Sequence, residues 1–118
     1  MKRDFNVIRN IMLQIEACED ADGLNCVELE AVDEPTIGYH LSMLYDAEFI
    51  DGIVSTSMGS PFSLLGANLT WTGHEFLDNA RNDEVWGKTQ AFIKNTTGSV
   101  SLDVLKELLS KATVAMFS

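Results

Sequence analysis

The chain has 118 residues, of which 46% are hydrophobic and 22% are charged. A chain of this length fits one domain that buries roughly two-thirds of its unfolded surface, and its apolar content argues against disorder. No apolar run approaches the length of about 20 residues that a membrane-spanning helix needs. Arg9, Gln14 and Glu16 interrupt the apolar residues near the N-terminus. We therefore expect no signal peptide, no membrane association and a cytoplasmic location.

The charges are distributed very unevenly along the chain, whose net charge is −10. Residues 1–9 contain Lys2, Arg3 and Arg9, whereas residues 10–80 contain thirteen acidic side chains and no Lys or Arg. Nucleic-acid-binding proteins draw most of their affinity from cations that neutralise phosphates. We therefore expect residues 10–80 to be repelled by DNA.

The residue types that carry most enzyme chemistry are few and scattered. Cys18 and Cys26 lie eight residues apart without a CxxC motif, which indicates reduced, partly buried thiols rather than a zinc or redox site. His40 and His74 lie in different predicted helices, and neither has a partner at metal-ligand spacing. We interpret His40 as a hydrogen-bonded histidine of the core. The sequence therefore predicts a protein that is not an enzyme and binds no metal or cofactor.

The spacing of apolar residues predicts an α+β domain. In chain order we expect a helix over 4–19, a strand over 26–32, a helix over 33–48, strands over 49–56 and 67–71 around a loop at 57–66, a helix from 72 that breaks near 82–83 and resumes to about 94, and a last helix from 101. Asp4 and Asp33 stand where helix caps are expected, and Asp83 is the expected cap of the helix that resumes after the break. Thr72 and Glu75 have the spacing of a capping box. Trp71 and Trp86 are expected in the core.

This order of elements is that of a winged helix, with a core over 1–82 and a helical extension over 83–118 in a single domain. The segments YHLSMLYDAEFIDG and LTWTGHEFLDNAR resemble winged-helix regulators, in which an H-L-x-x-L helix precedes the wing and an L-T-x-x-G block follows it. The blocks MKRDFNVIRNIMLQIE, IGYHLSMLYDAEFIDG and LTWTGHEFLDNARND further resemble short phage and prophage proteins that begin MKRD and carry a domain of unknown function. That resemblance implies the fold but no particular activity.

The helix at 33–48 corresponds to the recognition helix of DNA-binding winged-helix proteins, yet it contains no Lys or Arg. The bracing helix of an ordinary helix-turn-helix is also missing from the predicted elements. We therefore expect an acidic surface that binds the basic surface of a host protein, as a phage inhibitor that mimics nucleic acid against a host defence factor would. The expected partner-binding residues are Glu28, Glu30, Asp33, Glu34, Tyr39, Met43, Asp46, Glu48 and Asp51. The alternatives are a DNA-binding transcriptional regulator and an acidic face that only keeps the protein soluble.

Two apolar regions leave further alternatives open. In the wing (residues 51–69), either Phe62, Leu64 and Leu65 contact a partner, or the wing folds back and buries Phe62 and Leu64 against the body of the domain. The last helix either closes the core or pairs with its copy in a homodimer. The residues on the stripe of that helix are Leu102, Leu105, Leu108, Leu109, Ala112 and Met116.

Overall fold

The computed structural model describes residues 2–18, 32–55, 59 and 62–117. These residues form an α+β arrangement of five helices and one antiparallel hairpin, in an order compatible with a winged helix. The elements are α1 (Phe5–Ala17), α2 (Glu34–Asp46), β1 (Ile50–Ser55), β2 (Ser63–Leu69), α3 (Trp71–Ala80), α4 (Asp83–Thr96) and α5 (Leu102–Met116). Apart from Val32, the strand expected at 26–32 lies outside the described residues. In the described ranges, no helix is both long enough and apolar enough to cross a membrane.

The chain divides into two compact units, residues 1–74 and residues 75–118. In the first unit, α1 packs against α2 and β2, and α2 also contacts both strands. In the second unit, α4 packs against α5. The division falls inside α3, and the single domain with an internal boundary at 82–83 stays a prediction.

The first helix forms where the sequence predicts it. The Asp4 carboxylate accepts hydrogen bonds from the amides of Asn6 and Val7, which otherwise have no partner in the first turn. Its buried face consists of Val7, Ile8, Ile11, Met12 and Ile15. Cys18, which follows the helix, is disulfide-bonded. The expectation of a reduced thiol is therefore wrong for Cys18, and Cys26 lies outside the described residues.

The second helix also begins at its predicted cap. The Asp33 carboxylate accepts from the Thr36 amide at 2.8 Å, and Pro35 occupies the first turn, where no amide is needed. The helix ends in a Schellman motif: the Phe49 amide donates to the Leu44 carbonyl and the Glu48 amide to the Tyr45 carbonyl. Glu48 consequently adopts a left-handed backbone with φ of 64°.

The second strand starts at Ser63, four residues before the predicted start at 67. Gly66 falls in the loop predicted from the sequence, but this residue lies inside the strand with a φ of 63°. The pairing shifts register between Asp51 and Ile53, so Gly66 and Ala67 lie opposite a single residue, Gly52. Gly66 is thus the glycine of a β-bulge inside the strand, although its residue type suggested a loop.

Part of the wing folds back onto the first unit. Leu64 is buried, and the ring of Phe62 lies 6.0 Å from that of Tyr45 on α2. Leu65 stays exposed, on the same face of the hairpin as its cross-strand partner Ile53. The fold-back alternative therefore holds for Leu64, which is buried, and in part for Phe62, which is half-buried.

The third helix begins one residue earlier than predicted, and its cap is Thr70 rather than Thr72. The Thr70 hydroxyl accepts from the Gly73 amide at 3.0 Å and donates to the Glu48 carbonyl at 2.6 Å. The capping-box prediction at Thr72 is therefore wrong. Trp71, the first residue of α3, is 79% exposed, because at this position the side chain points away from the packed face. The core prediction is wrong for Trp71.

The second unit contains two capped helices. The Asn82 side chain, rather than that of Asp83, accepts from the Val85 amide and starts α4. Ser101, where the last helix was expected to start, caps α5 by accepting from the Val104 amide. Trp86 is buried, which confirms its predicted place in the core.

Candidate functional site

The candidate site is the acidic surface, which we define as the exposed carboxylates of Asp33, Glu34, Asp46, Glu48 and Asp51 at the two ends of α2. Asp33 and Glu34 lie at the N-terminal end, whereas Asp46, Glu48 and Asp51 lie at or just beyond the C-terminal end. A helix of 13 residues spans about 20 Å. Among the residues that the structure describes, these carboxylates therefore form two clusters separated by roughly that distance. Glu28 and Glu30 lie outside the described residues.

Asp33 combines a structural role with its charge. Hydrogen bonds from the hydroxyl and the backbone amide of Thr36 lower the pKa of the Asp33 carboxyl below its ordinary value of 3.8. Both bonds favour the ionised form. The carboxylate that caps α2 therefore also remains a negative charge on the surface near neutral pH.

Glu48 is held in an unusual backbone conformation. Residues other than glycine avoid the left-handed region because Cβ approaches the carbonyl oxygen, at a cost of about 1–2 kcal/mol. The Schellman bonds and the Thr70 hydroxyl together fix Glu48 in that conformation. A carboxylate therefore occupies a position that glycine would fill with less strain.

The middle of α2 is less open than the sequence suggested. Tyr39 and Met43, expected as exposed anchors, are both half-buried. The Tyr39 ring packs edge-on against the His40 ring, with 5.3 Å between the centroids. Only part of each side chain is therefore available to a partner, between the two carboxylate clusters.

His40 is a buried histidine with a hydrogen bond at each ring nitrogen. Its Nε2 atom accepts from the Asp4 backbone amide at 2.9 Å, and its Nδ1 atom lies 2.7 Å from the Thr36 carbonyl oxygen. An amide can only donate and a carbonyl can only accept, so the neutral ring with its proton on Nδ1 fits this site. The arrangement joins the start of α1 to α2, as expected for a core histidine.

The L-T-x-x-G block has a structural explanation that the sequence alone did not reveal. Leu69 is buried, Thr70 caps α3, and the Cα atom of Gly73 packs against the Phe49 carbonyl group. A Cβ atom at Gly73 would collide with that carbonyl oxygen. The residues that produce the winged-helix resemblance here maintain the fold, and they do not indicate a binding site.

The basic side chains have different neighbours in the two units. Arg81 lies 3.2 Å from Asp78, and Lys88 lies 3.0 Å from Glu84 on its own helix. In the first unit, the guanidinium of Arg3 lies 5.9 Å from the centre of the Phe5 ring. Lys2 and Arg3 are exposed at the start of the chain.

Among the described residues, no group of three or more His, Cys, Asp or Glu side chains could hold a metal ion.

The stripe expected to form a dimer is mostly covered within the chain. Leu102, Leu105 and Leu109 are buried, and α5 packs on α4. Leu108 and Ala112 are half-buried, and Met116 is exposed. The three buried leucines contribute to the core, and homodimerisation stays a prediction.

The sequence profile of the family described as "Hypothetical protein (DUF2513)" matches residues 2–99. The chain belongs to the DUF2513 family. It is also 37% identical over 109 residues to an uncharacterized protein of Haemophilus influenzae, a match that covers 92% of each chain. No solved structure matches the chain. The DUF2513 match includes the whole acidic surface and ends before α5.

Proposed function

We propose that this DUF2513 protein is a non-enzymatic binding module whose acidic surface docks on a basic surface of another protein. One observation carries the proposal: residues 10–80, which include α2 and the hairpin, contain no Lys or Arg. An interface of two complementary potentials accelerates association and excludes partners of the wrong charge. A surface with carboxylates at both ends of a helix, and no cation between them, suits a positively charged partner.

The two apolar side chains between the carboxylate clusters support a protein partner. Tyr and Met are enriched at protein interfaces, and both Tyr39 and Met43 keep part of their surface in solvent. The strained backbone of Glu48 supports the same role, because strain that persists in a folded protein often accompanies a functional position. The helix ends would thus supply the charge, and the middle of the helix would supply the apolar contact.

Within this proposal, the favoured partner is a protein that itself binds nucleic acid. A groove that holds phosphates presents Lys and Arg, to which two carboxylate clusters about 20 Å apart would be complementary. The resemblance to phage and prophage proteins suggests that the partner belongs to a bacterial host, for example a defence factor. The protein would then act in the host cytoplasm as an inhibitor that occupies the groove.

Charge reversal in each unit provides a matched test. In the first variant, Glu34→Lys and Asp46→Lys reverse one carboxylate in each cluster. In the control, Glu75→Lys and Asp103→Lys reverse two exposed carboxylates of the second unit with the same change in net charge. The immobilised wild type, variant and control are incubated with host extract, and the retained proteins are quantified by mass spectrometry.

We expect a nucleic-acid-binding protein that the wild type and the control retain and that the Glu34/Asp46 variant loses. Added duplex DNA should displace that protein, since it would compete for the same groove. Equal retention by all three chains would contradict the proposal. Direct capture of DNA by the wild type would instead favour the DNA-binding regulator.

A further inference from the structure

The helix α5 has a second apolar region on the side opposite its packed leucines. Val104 is 42% exposed and Val114 is 66% exposed, although three leucines of the same helix are buried. Phe117, directly after the helix, is 85% exposed. Isolated exposed apolar residues are common, but Val104 and Val114 lie on one side of α5, about 80° apart around the helix axis. This side of the helix could therefore be covered by another helix.

Two charged residues lie between the two valines. Val104, Glu107, Lys111 and Val114 follow one another at intervals of three, four and three residues, which is the spacing of the contact positions in a coiled coil. We call these four residues the outer face of α5. Glu107 and Lys111 are exposed, and no ion pair joins either of them to another residue in the described ranges.

The outer face is complementary to itself when two copies run antiparallel. A two-fold axis near position 109 places Val104 of one copy opposite Val114 of the second copy. The same axis places Glu107 opposite Lys111, and symmetry repeats both contacts. A parallel pair would instead bring Glu107 against Glu107 and Lys111 against Lys111, which like-charge repulsion disfavours.

We propose that the outer face of α5 binds the outer face of a second copy of this chain in an antiparallel pair. The occupant is a second copy because both the valines and the charges match under one two-fold rotation. The interface is small, so the pair belongs to the weak, reversible class. This association is independent of the proposed docking of the acidic surface, because the two surfaces lie on different elements.

Two charge reversals provide a sharp test. The Glu107→Lys variant presents two cations in each outer face, and the Lys111→Glu variant presents two anions. We expect the wild type to show a concentration-dependent dimer in sedimentation equilibrium over roughly 10–500 µM, the range for a weak interface. Each variant alone should associate at least about tenfold more weakly, because two like-charge pairs then face each other.

An equimolar mixture of the two variants distinguishes pairing between chains from pairing within a helix. Glu107 and Lys111 are four residues apart, so they could also interact inside one helix. In the mixture, an outer face with two cations can meet an outer face with two anions, so every contact between positions 107 and 111 again joins opposite charges. We therefore expect the mixture to recover dimerisation, with one chain of each variant in the dimer.

Two further variants complete the test. Val114→Asp should abolish the dimer, whereas Lys94→Glu, an exposed reversal on α4, should leave it unchanged. Circular dichroism confirms that each variant is folded. A wild type that remains monomeric over the whole concentration range would overturn the proposal. So would a dimer that neither charge reversal weakens, or a mixture that fails to associate.

Discussion

The two compact units of this protein differ most in how they use charge. Residues 1–74 contain twelve acidic and three basic side chains, and the three cations all lie within the first nine residues. Residues 75–118 contain six acidic and five basic side chains, which are interspersed along the helices. The net charge of −10 therefore belongs almost entirely to the first unit.

This difference shows why the position of a charge matters more than the total. In the second unit, Arg81 and Lys88 have carboxylates three and four residues away, a spacing at which side chains on a helix meet. In the first unit, α2 has carboxylates at both ends and no basic residue that could pair with them along the helix. No cation of the helix neutralises these carboxylates, so their negative potential acts on solvent or on a partner.

The largest predicted effect is on stability, and it compares one helical glycine in each unit. Gly73 in α3 packs against the backbone of Phe49, whereas a Cβ atom on Gly87 in α4 would contact nothing within 4 Å. Gly73→Ala should lower the free energy of unfolding by about 3 kcal/mol, because backbone must move. Gly87→Ala should raise it by about 0.5–1 kcal/mol through helix propensity. Urea denaturation measures both, and equal effects would refute the close packing at Gly73.

The next largest effect concerns the hydrogen bond from the Asp4 amide to His40, which links the start of α1 to α2. His40→Phe retains an aromatic ring but leaves the Asp4 amide without its acceptor. The free energy of unfolding should fall by about 2 kcal/mol, the usual cost of an unsatisfied, partly buried donor. His40→Gln should recover part of the loss, since its amide oxygen can accept. His74→Phe, at an exposed position, is the control, and a loss as large there would exclude the proposed role of His40.

A stabilising change is expected at the end of α2. Glu48→Gly removes the strain of a left-handed residue and should raise the free energy of unfolding by about 0.5–1 kcal/mol. Asp46→Gly, two residues earlier in regular helix, should lower it by about 0.3 kcal/mol. Thermal unfolding of the two variants checks the opposite signs. Destabilisation by Glu48→Gly would show that the strain is absent.

The smallest effect is a dependence on pH at the start of α2. Because the folded-state pKa of Asp33 is lowered, its contribution to stability is complete above the unfolded pKa near 3.8 and disappears as the pH falls through the folded value. Asp33→Asn keeps a good cap without a titrating group. Any advantage of the wild type over this variant at pH 7 should therefore vanish in acid at about pH 2. A difference in stability that does not change between pH 7 and acid would show that the hydrogen bonds from Thr36 do not lower the pKa of Asp33.

Much of the fold could be predicted from the sequence because local signals and burial agree. The predicted caps Asp4 and Asp33 lie at the starts of helices whose apolar spacing is regular. The errors arise where one residue type has two uses. Gly66 is a bulge inside a strand, and Thr70 caps α3 while its hydroxyl also reaches the carbonyl of a residue 22 positions earlier. Such contacts between distant segments leave no local pattern.

The candidate site was predictable in composition but not in shape. The absence of cations from residues 10–80 is visible in the sequence, and so are the carboxylates around α2. Their separation into two clusters follows from the absence of acidic residues at 35–45, whereas the half-burial of Tyr39 and Met43 is visible only in the structure. Glu48 takes the left-handed position that glycine usually fills at a helix end. Residues 46–49, D-A-E-F, contain no glycine, so the sequence could have suggested this.

We propose that the first unit presents carboxylates where a DNA-binding winged helix presents cations, so that it does not bind DNA. Fluorescence polarisation of a labelled random-sequence duplex, titrated with the full chain at about 50 mM salt, is the decisive measurement, because phosphate contacts are strongest at low salt. We expect no binding at any protein concentration reached. Saturable binding that weakens steeply with added salt would refute the proposal.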